Sequence, residues 1–131
     1  MKTKKFDFPK DHKPYADKYF LRTNDILRSE GLNPWVRAQV FIRKGPGEVY
    51  GIDEALAILD KYSNLKKHGG RVFALNEGAH YESKETLMLI EAHVQDIVEL
   101  ETMYLGVLSA QTKKANDHRG VDLEEVTRRM A

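Results

Sequence analysis

The pattern of hydrophobic and polar positions predicts three β-strands. Between residues 35 and 44, apolar side chains occupy every second position, which is the period of a strand with one buried face. The segment RVFAL (71–75) predicts a second strand. The segment TLMLIEAHV (86–94) predicts a third, which is apolar enough to be buried on both faces. Turn-forming residues at 44–48 end the first strand, and those at 76–78 end the second.

Apolar residues recur at helical spacing in other stretches of the chain. The first predicted helix covers residues 14–30 and ends at Gly31, a residue typical of helix C-termini. A short helix is predicted at 53–62, and the longest runs from 97 to about 116. A final short helix is predicted at 122–130. Asp122, with Glu125 three residues further on, is a weak capping signal for its start.

These elements divide the chain into three parts. Residues 1–13 are rich in lysine and predict a flexible basic arm, although the spacing of Phe6 and Phe8 suits docking of an extended segment. Residues 14–116 form the body. Residues 117–131 form a C-terminal segment with a break at 117–120 and the last short helix.

Composition narrows the class of protein. With 131 residues, 41% of them hydrophobic, the chain is long enough to bury the core of one domain. A net charge of +1 argues against a protein that coats nucleic acid or an anionic membrane. The lack of cysteine excludes disulfides, thiolate zinc sites and cysteine nucleophiles, and it suits a cytoplasmic protein. No apolar run is long enough to span a membrane, and the basic N-terminus lacks the apolar segment of a secretory signal.

No complete catalytic constellation is visible in the sequence. A Gly-x-Ser-x-Gly elbow and a phosphate-binding Gly-Lys-Ser/Thr loop are both missing. The histidines do not have metal-ligand spacing, so the sequence predicts no metal site and treats them as solvated loop residues. They are His12, His68, His80, His93 and His118.

Several segments, in this order and spacing, resemble the N-terminal portion of the nicotinate phosphoribosyltransferase family. The first is similar to the family's Thr-Asp-x-Tyr-Phe-x-Arg-Thr opening, with alanine where threonine is common. The resemblance covers about residues 14–116. The segments are ADKYFLRT (16–23), GIDEAL (51–56), VFALNEG (72–78) with LMLIE (87–91), and ELET (99–102) with LGVLS (105–109).

The resemblance implies an α+β fold: a small α/β sandwich domain of the type that precedes a phosphoribosyltransferase barrel, with a long C-terminal connecting helix. In the family, the barrel holds the phosphoribosyl pyrophosphate (PRPP) site, the Mg²⁺ site and most catalytic groups. We therefore expect this chain to bind no cofactor itself and to be inactive alone, as a subunit, fragment or truncated relative of the enzyme. The run TKKAN (112–116) departs from the family's Ser-Gly-Ile-Ala-Thr, which puts the usual entry into a barrel in doubt.

The resemblance also implies substrate-binding residues. In the family, the opening Asp and Tyr reach the active site of a neighbouring subunit, where the tyrosine packs on the pyridine ring. The implied partners are therefore a second copy or a chain carrying the barrel, with nicotinate as ligand. Two alternatives stay open: Tyr19 packs in the core with Tyr15, and Arg22 is a solvated helix residue instead of a partner for a carboxylate or phosphate. The implied set is Asp17, Tyr19, Arg22, Thr23, Glu101 and Thr102.

Glu101 bears on the choice of substrate. The quinolinate enzymes that resemble this stretch carry Glu-Arg-Thr, and that arginine helps to hold a dicarboxylate. Here the run is Leu100-Glu101-Thr102, and an anion at this position would repel a second carboxylate. The resemblance thus favours nicotinate over quinolinate, although Glu101 would also suit the first turn of any helix.

Other classes of function compete with this interpretation. A non-catalytic protein-interaction module derived from the same domain would expose apolar surface and associate. A biotinyl- or lipoyl-type carrier needs a lysine at a hairpin tip after the second strand, where this chain has His93, and Lys84 comes too early. A nucleic-acid binder needs a basic face with interleaved aromatic residues, which the chain lacks outside the arm.

Overall fold

The structure is a computed structural model that describes residues 6–43 and 45–116 and, as a strand, Val126–Met130. The helices are α1 (Lys18–Ser29), α2 (Ile52–Tyr62), α3 (Val94–Ile97) and α4 (Glu101–Ala115), with 3-10 turns at Lys13–Tyr15 and Val98–Leu100. The strands are β1 (Trp35–Ile42), β2 (Gly47–Glu48), β3 (Arg71–Ala74), β4 (His80–Tyr81), β5 (Thr86–His93) and β6 (Val126–Met130).

Four of these strands form one antiparallel sheet in the order β3-β5-β1-β6. The register of β1 against β5 places Ala38 opposite Ile90 and Val40 opposite Met88, and all four side chains are fully buried. Strands β2 and β4 pair in a separate two-stranded sheet. The period-two pattern of β1 thus reflects one face that points into the core.

Helices α2 and α4 complete the core against that inner face. Ile58 and Leu59 of α2 and Tyr104 and Leu108 of α4 belong to the same buried cluster as the strand residues. A large apolar side chain buried in this way contributes roughly 1.5–3 kcal/mol. The result is the α+β sandwich with a long C-terminal helix that the sequence predicted.

Two helix boundaries differ from the prediction for local reasons. Helix α1 begins at Lys18, not at residue 14, because the Asp17 carboxylate accepts the N–H of Tyr19 at 2.8 Å and caps the helix there. The predicted helix at 97–116 is divided into α3, a 3-10 turn and α4. Glu99 lies in that turn and not in the first turn of the long helix.

The predicted C-terminal helix at 122–130 is wrong where the structure describes it. Residues Val126–Met130 form β6, which pairs with β1 so that Met130 lies opposite Ala38 and Val126 opposite Ile42. Pairing with β6 gives hydrogen-bond partners to backbone N–H and C=O groups along one side of β1, which a helix at 122–130 would leave unpaired. The β-branched residues of this segment also favour a strand. Residues 117–125, including the predicted break, lie outside the described residues.

The N-terminal arm contacts the body from residue 6 onward. Phe8 packs against the core cluster, and Phe6 stacks on Phe8 with ring centroids 5.6 Å apart, so the docking expected from their spacing is present. The hydroxyl of Tyr62 donates a hydrogen bond to the carbonyl of Pro9. Residues 1–5 lie outside the described part of the arm.

None of the helices in the described residues combines the length and the apolar character that crossing a membrane requires.

Candidate functional site

One face of α1 is exposed and carries aromatic, basic and aliphatic side chains. We call Tyr19, Arg22 and Ile26 the α1 stripe, since they are spaced by three and four residues and share one helix face. Tyr19 is 70% exposed and Ile26 is 61% exposed. Tyr15 lies in the preceding 3-10 turn and is 58% exposed. The alternative in which Tyr19 packs in the core with Tyr15 is therefore wrong, because both side chains are exposed.

Two other residues of the implied site form hydrogen bonds within α1. The Asp17 side chain is the N-cap of α1, and the Thr23 hydroxyl donates to the carbonyl of Tyr19 at 2.8 Å. Arg22 is exposed and forms no ion pair or side-chain hydrogen bond with any described residue. Tyr19 touches only the edge of Phe20, at 5.6 Å between ring centroids, among the ring contacts found in the described residues. Within the described residues, the Tyr19 and Arg22 side chains are thus not engaged in any ion pair or side-chain hydrogen bond that would occupy them.

Glu101 and Thr102 have a different environment. Glu101 begins α4 and is 8% exposed, on the buried face that also carries Tyr104 and Leu108. Thr102 is half-buried. The sequence placed Glu101 against a ligand carboxylate. In the structure this side chain faces the interior of the domain, because it falls on the buried helical repeat of α4.

A buried carboxylate that the sequence did not single out joins three parts of the chain. Glu99 is 6% exposed, and its Oε1 lies 2.8 Å from Nε2 of His12 in the arm. The amide of Asn24 donates to Oε2 at 2.6 Å, and Arg28 donates to the same oxygen at 3.3 Å. We call these four residues the Glu99 cluster. The partners are up to 87 residues apart in sequence, so no local pattern could reveal them.

The cluster keeps Glu99 ionised. Burial alone would raise the pKa of this carboxyl, but the hydrogen bonds from His12 and Asn24 and the charge of Arg28 outweigh burial, so the pKa is lowered. The prediction of solvated loop histidines is wrong for His12, whose side chain is 17% exposed. The cluster therefore acts as a structural tie between the arm, α1 and the start of α4.

The other described histidines also have polar partners. Nδ1 of His68 lies 2.9 Å from Oδ2 of Asp96, and Nδ1 of His93 lies 3.0 Å from the carbonyl oxygen of Asn33. His80 hydrogen-bonds Glu82, and this bond is the main cause of a raised His80 pKa. His118 lies outside the described residues.

Two of the motifs noted in the sequence meet at the start of α2. The Glu77 carboxylate accepts the N–H groups of Gly51 and Asp53, each at 3.1 Å, so it caps α2 from a distant turn. Gly51 has φ of +91°, and a Cβ there would lie 2.8 Å from the carbonyl oxygen of Val107 in α4. These motif residues position α2 against α4 and are not exposed for chemistry.

The end of α4 is tied to the segment that follows β2. The Thr112 hydroxyl donates to the carbonyl of Tyr50 and accepts its N–H, both at 3.1 Å. The Asn116 amide donates to the carbonyl of Glu48 at 2.8 Å. The run that departs from the family pattern therefore ends the helix on the body of this domain.

The described residues do not fit a metal centre. Within 6–43 and 45–116, no three His, Asp or Glu side chains converge in a way that could hold a metal ion. These residues therefore do not fit the Mg²⁺ that the resemblance implies.

Comparisons with known proteins agree with the fold of the domain. A family model described as "Quinolinate phosphoribosyl transferase, N-terminal domain" matches residues 17–111. The crystal structure of nicotinate-nucleotide pyrophosphorylase from Pyrococcus furiosus is similar with a TM-score of 0.67 and 27% identity, over 86% of this chain and 29% of that one. No curated protein matched the sequence.

A second similar structure is the nicotinate-nucleotide pyrophosphorylase from Francisella tularensis, with a TM-score of 0.53 and 13% identity. The match covers 79% of this chain and 37% of that chain. At this identity the likeness concerns the fold alone. The chain thus spans well under half the length of either solved protein.

Proposed function

Because this chain belongs to the family of quinolinate phosphoribosyl transferase N-terminal domains, we propose that it serves an enzyme that transfers the phosphoribosyl group of PRPP to nicotinate. The observation that carries the proposal is the exposure of the α1 stripe, at the residues that the motif resemblance links to the pyridine site. The enzyme would act in the synthesis or salvage of NAD, and its location would be cytoplasmic.

The α1 stripe supplies the contacts that a pyridine carboxylate needs. The Tyr19 ring offers a flat apolar face for stacking on an aromatic ligand. Arg22, one turn further along the helix, offers a planar fork that can bind a carboxylate or phosphate in two hydrogen bonds. A second chain laid over this face would bury both side chains and exclude water from the ligand between them. We therefore propose that the partner is a second copy or a chain carrying the barrel.

The choice of nicotinate rests on the sequence at the start of α4. The run Leu100-Glu101-Thr102 lacks the arginine that helps related enzymes to hold a second carboxylate. A ligand with one carboxylate would not need that arginine. Thr102 stays in the proposed site as a half-buried neighbour, whereas the buried Glu101 side chain would not contact the ligand directly.

Transfer of the phosphoribosyl group makes demands that this chain does not meet alone. The donor and the pyridine must be held together, and the leaving pyrophosphate must be neutralised, for which Mg²⁺ is the usual means. The described residues would bind and orient the pyridine, but no three of their His, Asp or Glu side chains converge on a possible metal site. We therefore propose that PRPP and Mg²⁺ bind to another part of the complete enzyme.

The test begins with native mass spectrometry of the tagged chain recovered gently from its own host lysate. We expect a complex with a barrel-bearing polypeptide of about 200–300 residues, and formation of nicotinate mononucleotide from nicotinate, PRPP and Mg²⁺ by that complex. Robust turnover by the pure chain would overturn the proposal that it needs a barrel.

Variants then test the stripe within the active complex. Tyr19→Ala should lower kcat/KM for nicotinate by about tenfold or more, since a stacked ring contributes about 0.5–1.5 kcal/mol beyond its buried area. Tyr19→Phe should retain most activity. Tyr15→Ala is the matched control, because Tyr15 is a similarly exposed tyrosine outside the helix. Equal losses for Tyr15→Ala and Tyr19→Ala would contradict a specific pyridine contact.

A second candidate function is a non-catalytic interaction module, and the outer face of the sheet favours it. Trp35 is 47% exposed and Phe73 is 53% exposed on that side of the domain. Aromatic side chains are enriched in protein–protein interfaces relative to the rest of the protein surface. A stable homo-oligomer without a second polypeptide, and without turnover, would support this function over the enzyme.

A further inference from the structure

A cavity of about 490 Å³ lies between the end of α2, the loop at 63–70 and the start of β3. This volume falls within the roughly 300–1,000 Å³ typical of small-molecule sites. Its apolar lining comes from Leu56 and Leu59 on α2, Leu65 in the loop and Val72 on β3. Leu59 and Leu65 are each 2% exposed, so their side chains form a fixed floor.

The loop that closes the cavity is held by its own backbone. The N–H of Gly70 donates to the carbonyl of Leu65 at 2.6 Å, and the N–H of His68 donates to the carbonyl of Asn64 at 3.1 Å. A Cβ at Gly70 would lie 2.7 Å from the Leu65 carbonyl oxygen, so this tight turn requires glycine. The Ser63 hydroxyl donates to the Leu59 carbonyl at 2.6 Å. The cavity is therefore formed before any ligand arrives.

The rim of the cavity is polar and carries an excess of positive charge. Lys61, Lys66 and Lys67 line it together with a single acidic residue, Asp60. Lys66 pairs with Asp60 at 3.2 Å, which leaves the other two ammonium groups without a carboxylate partner in the described residues. Lys67 has no hydrogen bond or ion pair there, and the side-chain amide of Asn64 is equally free in the same part of the chain.

We propose that this cavity binds a small amphipathic anion, meaning a carboxylate or phosphate carried on an apolar group. The apolar part would displace water from the leucine and valine floor, which hydrophobic burial favours. The anionic head would lie at the rim, where Lys67 and Lys61 offer charge and Asn64 offers a hydrogen-bond donor. The lining shares no residue with the α1 stripe, so this site does not depend on the proposed function.

The test titrates four probes into the full chain and follows backbone amide shifts by NMR. Octanoate and octyl phosphate carry both parts of the proposed ligand, whereas octanol lacks the charge and inorganic phosphate lacks the apolar part. We expect saturable shifts at 56–72 with the first two probes and much weaker binding of the others. Comparison of octanoate with octyl phosphate then identifies the preferred head group. Octanol binding as tightly as octanoate, phosphate binding as tightly as octyl phosphate, or shifts centred elsewhere would overturn the proposal.

Variants separate the site from general charge effects. Lys67→Gln should weaken octanoate binding by about three- to tenfold, the range of a charge-assisted contact at a partly open site. Lys113→Gln is the matched control, since Lys113 is an exposed lysine in the last turn of α4. Tyr19→Ala should leave octanoate binding unchanged. Equal weakening by Lys67→Gln and Lys113→Gln would contradict a site at this rim, and so would weakening by Tyr19→Ala.

Discussion

Nε2 of His12 lies 2.8 Å from Oε1 of Glu99, although 87 residues separate them along the chain. This contact holds the end of the N-terminal arm against the turn that precedes α4. The same carboxylate binds Asn24 and Arg28 of α1. The helix that carries the α1 stripe is therefore oriented by a group that is itself buried and takes no part in the proposed site.

Glu99→Gln should lower the free energy of unfolding by about 1–3 kcal/mol at neutral pH, since a buried charged acceptor is replaced by an amide that presents donors to Asn24 and Arg28. Because the folded-state pKa of Glu99 is lowered, its stabilising effect is present above the usual carboxyl pKa and is lost as pH falls through the lowered value. The difference between the two proteins should therefore shrink in acid. Thermal unfolding across that pH range measures it, with the exposed Glu30→Gln as control.

Glu77→Ala should lower stability by about 0.5–2 kcal/mol, the range for loss of a helix cap. The reason is that the N–H groups of Gly51 and Asp53 lose their acceptor at the start of α2. Urea denaturation gives the total effect, and hydrogen exchange should show faster exchange at these two amides. Unchanged exchange there would show that the carboxylate does not cap the helix in solution.

Gly51→Ala should be more destabilising than Gly69→Ala. Both glycines have positive φ, at +91° and +84°, so both substitutions cost backbone strain. A Cβ at Gly51 would also meet the Val107 carbonyl oxygen at 2.8 Å, whereas at Gly69 no atom lies within 4 Å. The difference between their denaturation midpoints measures the cost of separating α2 from α4, and equal midpoints would contradict the close approach.

Thr112→Val should lower stability by about 1–3 kcal/mol, because it keeps the side-chain shape but leaves the partly buried N–H and carbonyl of Tyr50 without their partner. Thr86→Val is the control, since Thr86 is exposed. Chemical denaturation compares the two variants. A loss for Thr112→Val no larger than that for Thr86→Val would argue against the bond between α4 and the segment after β2.

Glu82→Gln should lower the pKa of His80 toward its usual value, because the hydrogen bond to Glu82 is the main cause of the upward shift. Glu48→Gln should have a smaller effect, since its carboxylate lies 3.9 Å from His80 Nδ1. NMR titration of the imidazole measures both. The raised pKa means that protonated His80 stabilises the fold below its usual pKa, and this contribution is lost as pH rises through the raised value.

Local patterns predicted most of the fold. The period of two in β1 and the helical period in α2 depend on neighbours a few residues apart, and both elements lie within a residue or two of their predicted bounds. Strand β6 was mistaken for a helix because a segment of about five residues takes its structure from the strand it pairs with, not from its own pattern.

The surroundings of the candidate site were harder to predict. Tyr19 fits an apolar helical repeat, yet its side chain is exposed. Burial of such a repeat depends on which other segments pack against it, and the local sequence does not show this. The pairing of His12 with Glu99 is a contact across most of the chain, and the ELET motif that contains Glu99 does not reveal its partner. The motif resemblance named Tyr19 as a candidate ligand contact, because it drew on the order of segments and not on periodicity alone.

The pairing of β6 with β1 decides which strand forms one edge of the four-stranded sheet. With Val126–Met130 in place, β1 is an interior strand, and its residues from Ala38 to Phe41 are paired with a strand on both sides. A chain cut before residue 126 would convert β1 into an open edge, a template on which a strand from another molecule can add. In the folded chain, Val126–Met130 is the edge strand in place of β1, so an eight-residue edge is exchanged for one of five residues, a shorter template for strand addition.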